Sequence, residues 1–269
     1  MPGIPGAAIR KATLPESLRD GVSIGPFTEA KPGALQFTIP RIARYRIEGG
    51  NTIDVAPLPK ADPAAVALFA YGSARGTLIH QRGELPLEAT TLISPQGACI
   101  ALCSFSGIGK STVAAALCGR GWTLLSDGIA RITVDDRQIT AWPGSARLAL
   151  WRDACERLGL DTAKLVRVRR GLDKFTVDVA HTTATAPLRA IVKLRVAPSA
   201  SMVELPAAHR AATIVDHVFR VPQVIALGTQ DKYARAVTQL ANDLPVFHLG
   251  GAQFRPVEEV ADHLAGAFA

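Results

Sequence analysis

The sequence SGIGKST, residues 106–112, lies between an apolar run at 98–103 and an alanine-rich, helix-forming run at 113–118. This order is a strand, a glycine turn, a Lys-Ser pair and a helix. It directs backbone N–H groups and a helix N-terminus at one point, where a triphosphate binds. The segment therefore predicts a phosphate-binding loop. Its predicted nucleotide-binding residues are Ser106, Gly107, Ile108, Gly109, Lys110, Ser111 and Thr112.

Individual positions of this loop predict individual contacts. Lys110 is expected to reach the β- and γ-phosphates of ATP, and the Ser111 hydroxyl is expected to bind Mg²⁺. The usual pattern G-x-x-x-x-G-K-[ST] has a glycine where this chain has Ser104, so the first turn of the loop carries a side chain. The alternative reading is a glycine-rich strand-to-helix turn that binds no nucleotide.

A second acidic element follows the loop. Asp127 comes directly after the apolar run at 122–126, where an acid can bind Mg²⁺ or take a proton from an attacking hydroxyl. A turn residue before Gly128 is the alternative interpretation. We expect the functional role because a phosphate loop needs an acidic partner and Asp127 is the nearest candidate in the sequence.

Composition narrows the class of protein. With 269 residues, 48% of them hydrophobic, the chain is expected to be globular, and its apolar runs are shorter than the ~20 residues of a membrane span. The N-terminal residues lack the apolar core of a signal peptide, so we expect a cytoplasmic location and no membrane partner. Cysteines lack zinc-site spacing and are expected to be reduced core residues. They are Cys99, Cys103, Cys118 and Cys155.

The net charge of +7 raises the question of nucleic-acid binding. Basic residues are dispersed and aromatic residues make up only 6% of the chain, so a generally basic surface that binds nucleotide phosphates is favoured, with no nucleic-acid partner. One stretch, residues 164–174, alternates basic and apolar residues. It is interpreted either as a solvated strand face or as a site for an anionic group, with Arg170 and Lys174 as candidate phosphate or peptide contacts.

The chain divides into two predicted regions. Residues 1–84 form a small β-rich N-terminal region, loosely ordered over residues 1–30, and residues 85–269 form the nucleotide-binding domain. The N-terminal elements predicted are strands at 35–39, 43–47 and 52–55, a helix from Asp62-Pro63 to Gly72, and a strand at 76–80. Beyond the loop helix, which ends at 119–121, the predicted elements are strands at 122–126, 188–196 and 245–249, a hairpin at 129–141 turning at Asp135-Asp136, and helices at 147–158, 231–241 and 256–267.

The residues 106–111, followed by RGWTLLSD at 120–127, resemble bacterial HPr kinase/phosphorylase and its smaller relatives. Further segments are similar to the HPr-kinase-like proteins found with lasso-peptide and related peptide-maturation genes. These segments are 41–45, 83–89, 142–144, 148–154 and 172–175. The resemblance implies an α/β fold with a P-loop nucleotide-binding core distinct from eukaryotic protein kinases. It also implies ATP-dependent phosphorylation of a peptide serine, and a homo-oligomer.

The positions at which this sequence differs from the family's pattern belong to one predicted site. Glu88 takes the place of the family's active-site histidine, and Gly128 replaces the second of two aspartates, which leaves Asp127 as the presumed general base. A carboxylate can accept a proton but lacks the near-neutral titration of histidine. His80 is a conceivable substitute, but a solvated or core histidine is the favoured interpretation.

The leading hypothesis is an ATP- and Mg²⁺-dependent kinase acting on a serine of a peptide or small protein in peptide natural-product maturation. Its catalytic residues are Asp127, Lys110 and Glu88, with Ser111 and Asp127 as metal ligands. Two alternatives stay open. One is a nucleotide-binding pseudokinase or recruitment protein, and the other is a phosphoserine phosphorylase or phosphatase.

Overall fold

The computed structural model describes residues 4–135 and 138–269, and the N-terminal strands form a sheet of their own. These strands are β1 (Ala8–Lys11), β2 (Val22–Gly25), β3 (Thr28–Lys31), β4 (Ala34–Ile39), β5 (Ala43–Glu48) and β6 (Thr52–Pro57). They lie in the order β1-β6-β5-β4-β3-β2. The strands predicted at 35–39, 43–47 and 52–55 are confirmed. The prediction of loose order over residues 1–30 is wrong for residues 4–30, because β1, β2 and β3 extend the sheet at both edges, and its first three residues lie outside the described part of the chain.

A continuous helical segment covers this sheet. It consists of α1 (Pro63–Phe69), a π-helical turn (Ala70–Ala74) and α2 (Arg75–Gln81). The predicted start is confirmed, since the Asp62 carboxylate accepts a hydrogen bond from the Ala64 N–H at 3.0 Å. The predicted stop at Gly72 and the strand at 76–80 are wrong. Gly72 lies inside the π turn, and residues 76–80 belong to α2. A short buried run of this length can be a strand or a helix, and hydrophobic periodicity alone does not distinguish the two.

The rest of the chain builds a larger mixed sheet and a small three-stranded one. The remaining strands are β7 (Leu85–Leu87), β8 (Ala89–Ile93), β9 (Cys99–Cys103), β10 (Thr123–Ser126), β11 (Ala130–Val134), β12 (Ile139–Trp142), β13 (Arg147–Trp151), β14 (Val166–Arg167), β15 (Lys174–Asp178), β16 (Ala186–Val196), β17 (Met202–Glu204) and β18 (Val246–Ala252). The remaining helices are α3 (Lys110–Cys118), α4 (Arg152–Arg157), a 3₁₀ turn (Thr162–Lys164), α5 (Ala207–Val215), α6 (Pro222–Leu227), α7 (Gln230–Asp243) and α8 (Val257–Ala267).

Strand β9 lies in the middle of the large sheet and is buried along its whole length. It is antiparallel to β8 and parallel to β16, which is in turn parallel to β18. Its side chains alternate between two cores, because Cys99 and Ala101 face α5 and α7 whereas Ile100 and Leu102 face α3 and α8. Helices on both faces of the sheet make this a mixed α/β fold, as the sequence predicts.

The elements predicted after the glycine loop are largely confirmed. Strands β10, β16 and β18 and helices α7 and α8 lie where they are expected, and β11 pairs with β12 as a hairpin. Asp136, assigned to its turn, lies outside the described residues. The helix predicted at 147–158 is wrong over its first half: Leu148 and Leu150 are buried in alternation along β13, and only α4 is helical. The boundary between residues 84 and 85 stays a prediction.

Among residues 4–135 and 138–269, no helix combines the length and the apolar character that crossing a bilayer requires.

A buried ion pair joins the start of β7 to β11. Glu84 accepts two hydrogen bonds from Arg131, at 2.6 and 2.7 Å, and the Arg131 guanidinium lies 3.9 Å from the centre of the Trp142 ring. Because removing one partner leaves the other charge buried and unpaired, we expect Glu84→Ala to lower the free energy of unfolding by about 3 kcal/mol. Urea unfolding followed by circular dichroism measures this change.

Two controls accompany that measurement. The double variant Glu84→Leu, Arg131→Met removes both charges and is expected to recover most of the loss. Arg10→Ala disrupts the exposed Arg10–Asp54 pair and is expected to have little effect. Equal destabilisation by Glu84→Ala and Arg10→Ala would contradict the assignment.

Candidate nucleotide site

The glycine loop, residues 104–112, leaves the buried end of β9 and turns directly into α3. Gly107 and Gly109 have φ angles of +85° and +112°, which glycine adopts without strain and other residues rarely do. Gly109 is the N-cap residue of α3, and Lys110 is its first helical residue. The N-terminal N–H groups of the helix and the Lys110 ammonium therefore face the same opening, which is the arrangement of an anion-binding helix terminus.

Ser104, which departs from the usual pattern, fits the loop without backbone strain. It is buried, its hydroxyl donates to the Phe105 carbonyl at 3.1 Å, and its φ is not among the positive values of the described residues. The turn therefore does not require glycine at this position. At Gly128 the situation is reversed, because its φ of +92° favours glycine over the family's second aspartate.

Asp127 connects three structural elements through its carboxylate. Its Oδ1 accepts hydrogen bonds from the Thr90 hydroxyl at 2.6 Å and the Ser111 hydroxyl at 3.4 Å, and its Oδ2 accepts one from the Ala149 N–H at 3.2 Å. The two predicted metal ligands, Ser111 and Asp127, are thus brought together. Thr90 and Ala149 are site residues that sequence reasoning missed, because nothing in their own segments indicates that they approach Asp127.

The basic stretch 164–174 separates into two environments. Asp173 binds the guanidinium groups of Arg152 and Arg167, which hold the pKa of its carboxyl below the usual value. Lys174 instead lines a cavity that the glycine loop also lines. Burial lowers the pKa of its ammonium, Asp127 opposes that shift and Lys110 adds to it. Of this stretch, Lys174 therefore faces the same opening as Lys110 and Asp127.

Two other predicted site residues lie further out. Arg170 is exposed, and its backbone N–H donates to the Asp62 carboxylate at 3.2 Å. Glu88 is exposed between β7 and β8, one residue before Ala89, which pairs with Cys103 at the end of β9. Glu88 therefore lies at the end of the sheet where β9 stops and the glycine loop begins, whereas Arg170 lies over the start of α1.

His217 is a buried residue beside the glycine loop that sequence reasoning missed. Its ring centre lies 5.3 Å from that of Phe105, and its backbone carbonyl accepts the Glu88 N–H at 2.7 Å. Burial lowers the pKa of His217 to about 4, helped by the positive charges of Lys193 and Lys110. The imidazole is thus neutral at physiological pH.

His80 and the cysteines have structural roles. His80 is buried in α2, its Nε2 lies 2.6 Å from the Phe219 carbonyl oxygen, and burial lowers its pKa, so the interpretation as a core histidine is confirmed. All four cysteines are free thiols, and no group of three or more His, Cys, Asp or Glu side chains within 4–135 and 138–269 is arranged to hold a metal.

Two cavities are lined by the glycine loop, and a third adjoins one of them. A central one of 110 Å³ is lined by the loop itself, by Ala149 to Trp151 and by Lys174. A second, of 540 Å³, lies between the loop and residues 252–260 and shares Gly107, Gly109 and Thr112 with the first. A third, of 220 Å³, is lined by Asp127 and shares Ala149 and Lys174 with the central cavity. The central cavity therefore adjoins each of the other two, which share no lining residue with each other.

Comparison with known proteins leaves the family open. No protein-family model matches the chain, and no curated protein matches it. Among solved structures, the chain is similar to the Hpr(Ser) kinase/phosphatase from Coxiella burnetii, with 12% identity and a TM-score of 0.34, over 68% of this chain and 99% of that one. A similarity at this level does not assign the chain to a family.

The low pKa of His217 makes the stability of the protein depend on pH. An unfolded chain binds a proton on this imidazole below pH ~6.5, whereas the folded chain binds it only near pH 4. The stabilisation is therefore complete above pH ~6.5 and is lost as the pH falls toward 4. We expect acidification from pH 7 to pH 5 to remove about 2 kcal/mol through His217 alone.

Urea unfolding at both pH values measures this dependence. The variant His217→Asn lacks the titrating group and is expected to lose correspondingly less stability between pH 7 and pH 5, with other histidines contributing equally to both proteins. Parallel losses in the two proteins would show that His217 does not titrate as described.

Proposed function

We propose that this protein is an ATP- and Mg²⁺-dependent kinase that phosphorylates a serine hydroxyl of a peptide or small protein. The observation that carries the proposal is the convergence of Ser111 and Asp127, 3.4 Å apart, at the helix N-terminus that begins with Lys110. A cation, a hydroxyl and a carboxylate around an anion-binding helix terminus are what phosphoryl transfer from a nucleotide requires.

The donor set suits the expected ligands. A serine hydroxyl and a carboxylate are oxygen ligands of the kind that Mg²⁺ prefers, so Ser111 and Asp127 would hold the metal, which neutralises phosphate charge when bound. The triphosphate would bind in the central cavity. The 540 Å³ cavity next to it falls in the usual size range of ligand pockets, roughly 300–1,000 Å³, and would take the nucleoside.

In the proposed reaction the acceptor oxygen attacks the γ-phosphorus, the bond from that phosphorus to the ADP oxygen breaks, and the hydroxyl proton passes to Asp127. Lys110 and Lys174 stabilise the negative charge that develops on the transferred group. Glu88 is proposed to orient the substrate from the end of the sheet where the glycine loop begins. Arg170, on the surface over α1, is proposed to contact the peptide outside the cavities.

A peptide acceptor is supported by the sequence resemblance to HPr-kinase-like proteins of peptide-maturation gene clusters. We therefore propose precursor peptides as the first substrates to test. Mass spectrometry separates the three hypotheses: gain of one phosphate indicates a kinase, ATP binding without turnover indicates a pseudokinase, and loss of phosphate from a phosphopeptide indicates the reverse enzyme.

Lys110→Ala is expected to abolish phosphoryl transfer while leaving the circular dichroism spectrum and melting temperature close to those of the unmodified protein. The reason is that Lys110 is half-buried at a loop-helix junction and supplies charge to the phosphates rather than packing in the core. Transfer of labelled phosphate from ATP to a serine peptide measures the loss. Full activity in this variant would overturn the kinase assignment.

Asp127→Asn is expected to lower kcat by about 10²–10⁴-fold, since the amide retains an oxygen that accepts hydrogen bonds but takes no proton. Steady-state kinetics at saturating Mg²⁺ test this, with the ATP affinity of both proteins measured by calorimetry. A variant with unchanged kcat would remove Asp127 from the reaction, and a variant that fails to bind ATP would show that Asp127 acts through the metal.

A further inference from the structure

The 220 Å³ cavity beside Asp127 is unexplained by nucleotide binding. It shares no lining residue with the 540 Å³ cavity, and it meets the central cavity at Ala149 and Lys174. Asp127 lines it, so a group bound there lies next to the proposed general base and apart from the proposed nucleoside. An acceptor hydroxyl needs such a place, because it attacks the γ-phosphate in line with the leaving ADP oxygen, where the nucleotide itself does not lie.

The walls of this cavity are largely apolar. Its apolar lining comes from Leu68 of α1, Tyr71 of the π turn, Ile129 and Val168. A cavity of about 150 Å³ with apolar walls is large enough to hold a benzene ring, so 220 Å³ suits one leucine or phenylalanine side chain. It is smaller than the pockets that enclose whole drug-sized ligands.

The charges around the cavity disfavour a basic occupant. Arg75 and Lys174 line it together with Arg147, whose exposed guanidinium is paired with Asp178 at 2.8 Å, and Asp127 is the carboxylate among the described lining residues. Arg75 is buried, its two terminal nitrogens donate to the carbonyls of Ile129 and Pro143, and its Nε has no acceptor in the described structure. An uncharged group fits these surroundings, and a lysine or arginine side chain does not.

From these observations we infer that the cavity selects the acceptor by holding an apolar side chain next to the serine that is phosphorylated. The inference rests on the proposed kinase function. It names the substrate class as peptides in which a leucine- or phenylalanine-sized residue flanks the serine, with that side chain against the π turn and residues 129 and 168.

Gly72 offers a direct test because it lines the cavity. A Cβ built on Gly72 meets nothing within 4 Å, and its φ is not positive, so Gly72→Leu fills space without backbone strain. Gly266 in α8 is the matched control, since its Cβ also meets nothing within 4 Å and it lies in none of the three cavities. Both variants replace a helical glycine by leucine, so general effects of the change cancel.

The probes are acetylated, amidated seven-residue peptides with one serine, in which the residue before or after it is Leu, Phe, Gly, Asp or Lys. With ATP and Mg²⁺, the unmodified protein and Gly266→Leu are expected to phosphorylate the Leu and Phe peptides at least tenfold faster, in kcat/KM, than the others. Gly72→Leu is expected to lose that preference, with an unchanged Kd for ATP. Equal rates for all peptides, or an unaltered preference in Gly72→Leu, would overturn the inference and leave the kinase function standing.

A binding measurement keeps the inference separate from turnover. Calorimetry of the same peptides with Mg²⁺ and a non-hydrolysable ATP analogue is expected to show tighter binding of the Leu and Phe peptides to the unmodified protein than to Gly72→Leu. Selective binding without phosphorylation would overturn the proposed kinase function and support the pocket. Absence of selective binding would overturn the pocket.

Discussion

The site depends on one carboxylate shared by three elements. Asp127 accepts hydrogen bonds from Thr90 on β8, Ser111 on α3 and the Ala149 N–H on β13. Because one carboxylate accepts hydrogen bonds from all three, it ties the large sheet, the loop helix and the three-stranded sheet together at this point. Lys110 lies on the loop helix and Lys174 lies on the three-stranded sheet. The distance between these two lysines therefore depends on the position of Asp127.

The part of the site that the sequence predicts is the part encoded locally. Gly107 and Gly109 have the positive φ angles that the loop requires, and the run before them forms the buried strand β9. Asp127 can be predicted because it directly follows β10, the next strand after the loop helix. Thr90 and Ala149 escape prediction because their contribution is one hydroxyl and one backbone N–H, groups that many residues possess, brought to Asp127 only by the pairing of distant strands.

Other features depend on tertiary packing that no local pattern contains. The residues Arg147–Trp151 are compatible with a helix, but the burial of Leu148 and Leu150 and the pairing with β15 select a strand. His217 lies more than 100 residues from the glycine loop, and its low pKa arises from burial and from lysines on other elements. Arg170 belongs to a stretch of which Lys174 is the one basic residue that lines the cavities around Asp127 and the loop, a distinction that alternation of residue types does not make.

The π turn at Ala70–Ala74 has a consequence for how such a chain can diverge. A π turn holds one residue more than the α-helical turn it replaces, and each residue of a helix advances the side chains by about 100°. An extra residue in a regular helix would rotate everything after it by that angle, but the wider π turn absorbs it, so Leu68 before the turn and Arg75 after it keep nearly the relative directions of a helix one residue shorter. Deleting one residue here would therefore alter the side chains within the turn, among them Tyr71 and Gly72 of the cavity beside Asp127, and leave the flanking helices in place. A change of length at this turn thus remodels one part of that cavity without moving the rest of the fold.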